Sequence, residues 1–303
     1  MYSIFNQSRE YSGNNTTLTR LSKLLNLPLT NKIQDNLIGI HAYKFGKLVI
    51  NYDINYILII GGTDVNVDIN NDDKRETIMK AFQKAKFIVS FNNFIKNILP
   101  NHSAKIKVIP QSVSQIKPSN FNIKNHLKTK FNISKKNKLF VIVGNLRPIK
   151  DPLYLKNVFK ELSKNNIYCI LIGRIIKSEY KFGKGMIHIG PLNQNDITAC
   201  YQQVNGLINC SVSEGMSVSI LEAMINKCPV YVRKNPGNCA IVKHLENGYV
   251  FKDPKEFLKI IELNNKEIIN NAYRYVIKNH NPEDEKNEYL KMIQDLTILN
   301  PVN

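Results

Sequence analysis

Two glutamates eight positions apart, Glu214 and Glu222, lie in the stretch C-S-V-S-E-G-M-S-V-S-I-L-E-A-M-I-N-K-C-P-V, from Cys210 to Val230. Carboxylates are acceptors suited to the hydroxyls of a sugar or a ribose. The pattern predicts a buried strand over residues 206–210 and a small-residue turn over Ser211 to Gly215. A helix over Met216 to Ile225 follows, with Ile220, Leu221 and Met224 at helical spacing. The start of such a helix carries N–H groups without intrahelical partners and the positive end of its dipole, so it can hold a phosphate. Glu214 then sits on the turn beside the phosphate, and Glu222 about two helical turns in. The same two carboxylates also fit a solvated pair on an ordinary helix, and the motif alone does not separate the two readings.

Other groups of the same kind stand where a strand is expected to end. Gly144-Asn145-Leu146-Arg147-Pro148-Ile149-Lys150 follows the apolar run Leu139 to Val143 and carries two fixed positive charges, Arg147 and Lys150. Gly61-Gly62-Thr63-Asp64 follows Ile57 to Ile60, and two glycines there allow close backbone approach by a ligand or simply a tight turn. Ser12-Gly13-Asn14-Asn15 separates a short first strand at Tyr2 to Asn6 from the helically spaced Leu18, Leu21, Leu24 and Leu25. Backbone N–H groups of such a loop can face a ligand. Pro236-Gly237-Asn238 follows the strand Val230 to Val232. His41 stands at the end of a strand over Ile38 to Tyr43, where a lone histidine is commonly a structural, hydrogen-bonded core residue.

These loops must be held by strands and helices in alternation. In the first half, strands are expected at Phe87 to Ser90 and Ile106 to Pro110, with helices at Arg75 to Lys86 and Phe94 to Leu99. Asp68 to Asp73 is polar and reads as loop. In the second half, strands are expected at Ile167 to Ile172 and Ile187 to Gly190. Helices are expected at Leu153 to Ser163, Asp196 to Gln203, Ala240 to His244, Glu256 to Ile261 and Glu283 to Leu296. Alternation in both halves implies an α/β protein with two Rossmann-like, doubly wound domains, whose ligands bind at the carboxyl ends of the strands. Residues 1–120 form the first domain in this reading, 121–137 a Ser/Asn/Lys-rich linker and 138–282 the second domain. Residues 283–303 form a last helix packing back on the first domain.

Composition narrows the class. At 303 residues and 43% hydrophobic, the chain has material for two cores. No apolar run is long enough to span a bilayer, and no charged-then-apolar leader opens the chain. The five cysteines form no C-x-x-C pair, which suits free thiols and a cytoplasmic location. The net charge of +18 suits an anionic membrane surface, nucleic acid or a phosphorylated substrate. Its lysines are scattered without aromatic interleaving, which favours a solvated surface; weak membrane-surface contact stays open and specific nucleic-acid binding is not expected. No paired acidic motif marks a metal site, since Asp72-Asp73 falls in a stretch read as surface loop.

The pattern resembles the retaining glycosyltransferases of family 4, which have the GT-B architecture of two Rossmann-like domains facing across a cleft. Within them it is similar to the glycosyltransferase 1 domain-containing proteins. The resemblance is carried by E-G-M-S-V-S-I-L-E-A-M with the following P-V, and by I-I-G-G-T-D-V-N, G-N-L-R-P-I-K-D-P-L-Y-L and P-G-N-C-A-I-V-K-H, which span residues 60–244 in order. It implies transfer of a sugar from a nucleotide-sugar donor to an acceptor, with retention and with neither metal nor cofactor. It also implies that Glu214 contacts the donor sugar near the anomeric centre, that Glu222 accepts from the ribose, and that Lys150 binds the diphosphate. Gly215 and Met216 would offer N–H groups to the phosphates, and Gly62 and Thr63 would face the cleft. Ser217, Gly13, Gly237 and Asn238 would complete the donor site, and His41 matches a histidine near the sugar. Asn145 stands where many relatives have an arginine, so Arg147 would supply that charge. Ala240 stands where many have a glutamate. The first domain is short between the Leu18–Leu25 helix and His41. A nucleotide-sugar-binding protein without turnover, or a basic nucleic-acid-binding protein, are the alternative readings.

Overall fold

The computed structural model describes residues 2–6, 12–176 and 179–299, the last three by backbone alone. The chain divides into two compact units, Met1–Ser112 with Asn281–Asn303, and Val113–His280.

The first unit runs β1 (Ser3–Phe5), α1 (Gly13–Leu25), β2 (Leu29–Thr30), β3 (Asn36–Ile40), α2 (Gly46–Val49), β4 (Asn55–Ile59), α3 (Thr63–Asn66), α4 (Asp72–Lys84), β5 (Phe87–Ser90), α5 (Asn93–Asn97) and β6 (Lys105–Val108). Its strands form one parallel sheet in the order β2-β1-β3-β4-β5-β6. Strand β4 is apolar because both of its faces are covered, as expected of a parallel sheet. Phe45 fills the space beneath, edge-on to Tyr56 and tilted against Phe5, each with ring centroids 5.5 Å apart. Helix α1 starts where Ser12 Oγ accepts the Asn15 N–H, and it buries Leu18, Leu21 and Leu25 on one face. Between α1 and β3 there is only the two-residue β2 and no helix.

The second unit runs α6 (Ile123–Phe131), β7 (Lys138–Val143), α7 (Lys156–Leu162), β8 (Ile167–Ile172), β9 (Met186–Gly190), α8 (Gln194–Tyr201), β10 (Gly206–Asn209), α9 (Val218–Ile225), β11 (Val230–Arg233), α10 (Pro236–Cys239), β12 (Tyr249–Phe251), α11 (Pro254–Ile260) and α12 (Lys266–Asn279). Its sheet is also parallel, in the order β12-β11-β10-β7-β8-β9. An aromatic core of Phe140, Tyr231, Tyr249, Phe251 and Phe257 lies against it, with Tyr231 and Tyr249 stacked at 4.8 Å.

Several expectations are corrected. The 121–137 stretch carries α6, because Asn122 caps it and Ile123 and Leu127 are buried at i,i+4 spacing. The helix expected at Ala240–His244 lies earlier, as α10, where Asn235 caps and Pro236 takes the first helical position. Asp68–Asn70 is a 3₁₀ turn rather than loop, and Asp72 and Asp73 form the first turn of α4. Helix α9 begins two residues later than expected, at Val218. Strand β12 and helix α12 were not read from the sequence, although α12 buries Ile268, Ala272 and Val276 at regular four-residue spacing.

The last helix, α13 (Pro282–Leu299), packs against α1 within the first unit. Arg20 of α1 meets Glu285 of α13 through two nitrogens, NH2 lying 2.8 Å from Oε1 and NH1 bonding Oε2. Glu285 also accepts the Ser112 N–H at 2.9 Å, and its side chain is only 1% exposed. A carboxylate this deep depends on its partners. Arg20→Ala should therefore destabilise the chain by about 3 kcal/mol, the low end for opening a buried pair. The thermal midpoint of the full chain checks this, and a midpoint within error of wild type would show the pair to be idle.

Candidate functional site

In a doubly wound sheet the loops that follow the strands gape where the strand order reverses direction, and ligands enter there. In the second sheet the reversal lies between β7 and β10. The loop after β7 carries Arg147 and Lys150, and the loop after β10 carries Glu214. In the first sheet it lies between β1 and β3; Gly13 opens the helix that follows β1, and His41 stands directly after β3.

In the second unit, Pro148–Lys150 forms a 3₁₀ turn, and Lys150 Nζ lies 2.5 Å from Glu214 Oε1. The same oxygen accepts Ser211 Oγ at 2.7 Å and Asn209 Nδ2 at 3.2 Å. The Val212 N–H donates to the Ile149 carbonyl at 2.9 Å, which ties the two loops together. The Glu214 side chain is 8% exposed. Burial pushes its carboxyl up, but the Lys150 charge and the hydrogen bonds from Lys150, Ser211 and Asn209 together outweigh burial and hold it below its ordinary value. Glu214 is thus an anion at neutral pH, beside a cation. Arg147 brings further positive charge, and its Nε is buried without a hydrogen-bond partner.

An amide network supports this loop from behind. Asn238 is 0% exposed; it donates to Asn209 Oδ1 at 3.4 Å and to the Arg233 carbonyl at 2.9 Å. Asn235 donates to the Ser211 carbonyl at 2.8 Å and accepts the Asn238 N–H at 2.9 Å. Ser217 accepts from Asn209 at 3.1 Å. A Cβ on Gly237 would fall 2.1 Å from the Glu214 carbonyl oxygen, so only glycine allows this approach. Gly237, Asn238 and Ser217 therefore shape the Glu214 loop from within the protein. Gly215 and Met216 precede the Ser217 cap of α9, and Met216 is buried.

Glu222 stands apart from this network. On α9, its Oε1 accepts Gln194 Nε2 at 2.7 Å and its Oε2 faces Tyr201 Oη at 3.5 Å, both from α8. Protein surrounds the half-buried carboxyl on most sides. Burial raises its pKa to about 7, against the weaker lowering effect of the Gln194 and Tyr201 hydrogen bonds.

In the first unit the structure brings His41, Gly61 and Thr63 together, with Asn14 beside Gly61. A Cβ on Gly61 would lie 3.6 Å from Asn14 Oδ1 and 3.7 Å from the His41 ring, while none of the described atoms comes within 4 Å of a Cβ on Gly13. Gly62 has φ 103° and caps α3. His41 has φ 84°, a strained value for a non-glycine residue, and is 1% exposed. Its Nδ1 accepts the Lys44 N–H at 3.3 Å, so the ring proton lies on Nε2, which faces Thr63 Oγ1 at 3.4 Å and Asp68 Oδ2 at 3.5 Å. Burial lowers its pKa; Asp64 and Asp68 oppose this, and Lys44 and Lys74 add to it. Both ring nitrogens thus have partners within the first unit, Lys44 on one side and Thr63 and Asp68 on the other. Asp64, which the sequence reading did not assign, organises this corner. Its carboxylate accepts the N–H groups of Ala42, Gly61, Gly62 and Val65 at 2.7–3.2 Å. Among the described residues no three His, Cys, Asp or Glu side chains are grouped to hold a metal, and no helix is long and apolar enough to cross a membrane.

The Glu222 carboxyl has a measurable consequence for stability. Its folded pKa of about 7 lies above the ordinary 4.5 of the unfolded chain. Between those values the unfolded chain loses this proton while the folded chain keeps it, so this group's contribution to stability falls as pH rises through the window. Above about pH 7 the loss is complete. In Glu222→Gln that fall should vanish, and the variant's thermal midpoint should gain on wild type between pH 5 and pH 8. Parallel curves would mean that Glu222 ionises as an ordinary surface carboxylate.

The family described as Glycosyl transferases group 1 matches residues 123–274. The chain is 33% identical over 285 residues to glycosyltransferase 1 domain-containing protein 1 of Xenopus tropicalis, covering 86% of this chain and 81% of that protein. It is 29% identical over 162 residues to the UDP-Gal:alpha-D-GlcNAc-diphosphoundecaprenol alpha-1,3-galactosyltransferase of Escherichia coli, covering 49% and 41%. Among solved structures, Anabaena Alr3699/HepE in complex with UDP-glucose matches with a TM-score of 0.75 at 14% identity, covering 97% of this chain and 99% of that one. This likeness shows the fold, which is GT-B. From the family match and the identity sustained over most of its length, the chain belongs to the glycosyl transferases group 1 family.

Proposed function

We propose that this glycosyltransferase moves a hexose from a nucleotide-sugar donor to an acceptor with retention of configuration, as the family 4 resemblance implies. The reading rests above all on the Lys150–Glu214 pair at the sheet's reversal point. Breaking the glycosyl–phosphate bond builds positive charge on the anomeric carbon and leaves the electron pair on the diphosphate. The acceptor oxygen then bonds that carbon and gives up its proton to the departing diphosphate. Lys150 has three N–H donors, so it can keep Glu214 and still hold a phosphate oxygen. Arg147 adds charge beside it, and the α9 N-terminus adds its dipole. In this reading Glu214, anionic and close to the diphosphate site, faces the developing positive charge. Glu222 accepts from the ribose, and Gly215 and Met216 line the phosphates.

Protein cations can carry the leaving-group charge, so we propose a reaction that uses neither metal nor cofactor. UDP-hexoses are the first donors to test, since the E. coli relative is named for UDP-Gal and the Anabaena structure holds UDP-glucose. The acceptor is left open. We further propose a cytoplasmic enzyme whose charge of +18 allows weak contact with an anionic membrane surface. One observation favours a second reading, a nucleotide-sugar-binding protein without turnover: the His41 ring, expected near the sugar, is buried, with Lys44, Thr63 and Asp68 at its two nitrogens.

Release of nucleoside diphosphate from a donor panel, paired with calorimetric binding of the same donors, separates the two readings. Binding with no release for any donor would favour the second. If Lys150 stabilises the leaving group, Lys150→Ala should lower kcat by about 10²–10³ while raising the donor KM far less. A rise in KM alone would make Lys150 a ground-state anchor. At pH 8, where Glu222 is ionised, Glu222→Gln should weaken nucleoside diphosphate binding by about 1.5–3 kcal/mol, as for hydrogen bonds to a charged group. Unchanged affinity in calorimetry would remove Glu222 from the ribose site.

A further inference from the structure

We propose that Arg233 is a positioning residue that clamps the Lys150 loop to the Glu214 loop and so sets the geometry of their ion pair. This deepens the reading above, in which that pair faces the donor.

Arg233 ends β11 and lies outside every motif that carries the family resemblance. Its NH1 bonds Asp151 Oδ2 at 2.8 Å and the Cys210 carbonyl at 3.4 Å. Its guanidinium carbon stands 3.7 Å from the centre of the Tyr154 ring. Asp151 directly follows Lys150 and closes its 3₁₀ turn in the left-handed region, at φ 41°. Cys210 follows β10 and opens the loop that carries Glu214. One planar group thus grips the end of the Lys150 turn, the start of the Glu214 loop and an aromatic face that holds its plane.

Stability does not account for this arrangement. The Arg233 and Asp151 side chains are 23% and 37% exposed, and pairs that solvent reaches contribute little to folding. Geometry does account for it. Asp151 is held in a backbone conformation unfavourable for a non-glycine residue, directly after the Lys150 that meets Glu214. Lysine in place of Arg233 could pair with Asp151 but could not also lie flat on Tyr154 and reach the Cys210 carbonyl.

The two possible actions of Asp151 on Glu214 have opposite signs, which gives a decisive test. Acting through space alone, removal of the Asp151 charge makes Glu214 easier to ionise and moves its titration down. If Asp151 is the handle by which Arg233 holds the Lys150 turn, its removal loosens Lys150, the cation that keeps Glu214 low, and the titration moves up. The remaining contacts to the Glu214 carboxylate, Ser211 and Asn209, are neutral. The probe is the Glu214 side-chain carboxyl carbon, titrated by NMR in the full-length chain with thermal midpoints as a folding control. We expect Asp151→Asn to move it upward toward the ordinary carboxylate value, Arg233→Ala to move it at least as far, and Arg233→Lys to restore part of the shift. A titration in Asp151→Asn that stays in place or moves down overturns the clamp. The measurement needs no donor, so it reads the clamp even in a chain that turns nothing over, and failure of the glycosyltransfer reading stays distinguishable. Where donor turnover is present, Asp151→Asn should lower kcat about 10-fold or more with the donor KM little changed, the mark of a displaced reacting group. Unchanged kcat in a variant that binds donor normally also counts against the clamp.

Discussion

A carboxylate that is almost wholly buried must be compensated, and at Glu214 the compensation organises the second unit. Without Lys150 and the hydroxyl and amide donors around it, desolvation would drive the group to its neutral form. Those donors come from separate pieces of chain: Lys150 from the turn after β7, Asn209 and Ser211 from the end of β10. Asn235 and Asn238, after β11, hold Asn209 and Ser211 in turn. Each must be delivered within hydrogen-bond distance, so the strand ends can deviate little from their places. Gly237, pressed against the Glu214 carbonyl, shows how little slack is left.

The first unit meets a similar demand with a different carboxylate. Asp64 gathers four backbone N–H groups from the ends of β3 and β4 and from α3, and has no cation beside it among its bonds. His41 closes the same corner in a strained backbone conformation. Strain of this kind persists only where the surroundings over-determine it, and here the Ile59 carbonyl, the Phe45 N–H and the Lys44 N–H do so. The corner is rigid by construction. A buried, hydrogen-bonded His41 agrees with the structural reading that its place at a strand end suggests.

The two glutamates that first draw the eye follow different physics. Glu214 is low because a cation and three hydrogen bonds outweigh its burial; Glu222 is high because burial outweighs the hydrogen bonds from Gln194 and Tyr201, and no cation is among its partners. Within one strand-turn-helix unit the fold thus keeps one carboxylate ionised across the physiological range and leaves the other titrating near neutrality. Their eight-residue spacing says nothing of this difference, since it is made by α8 and by the loop after β7, both distant in sequence.

What the sequence determined by itself was periodicity and punctuation. Mostly apolar runs such as Phe87–Ser90, four residues long, and Ile167–Ile172, six residues long, became strands at those bounds, because a parallel strand covered on both faces has few other solutions. Alternation with helices then specified two doubly wound sheets, and small-residue loops marked their ligand ends. The pairing of Glu214 with Lys150, 64 positions apart, followed from topology once β7 and β10 were neighbours. Tertiary structure alone decided the rest. It placed α6 within the 121–137 stretch, made Asn238 a buried support, gave Asp64 its four N–H partners, and recruited Gln194 and Arg233, which no local pattern singles out. The physical reason is common to them all: a polar side chain's role is set by what desolvates it and what bonds it. Those partners arrive from strand ends that lie side by side in the sheet but tens of residues apart along the chain.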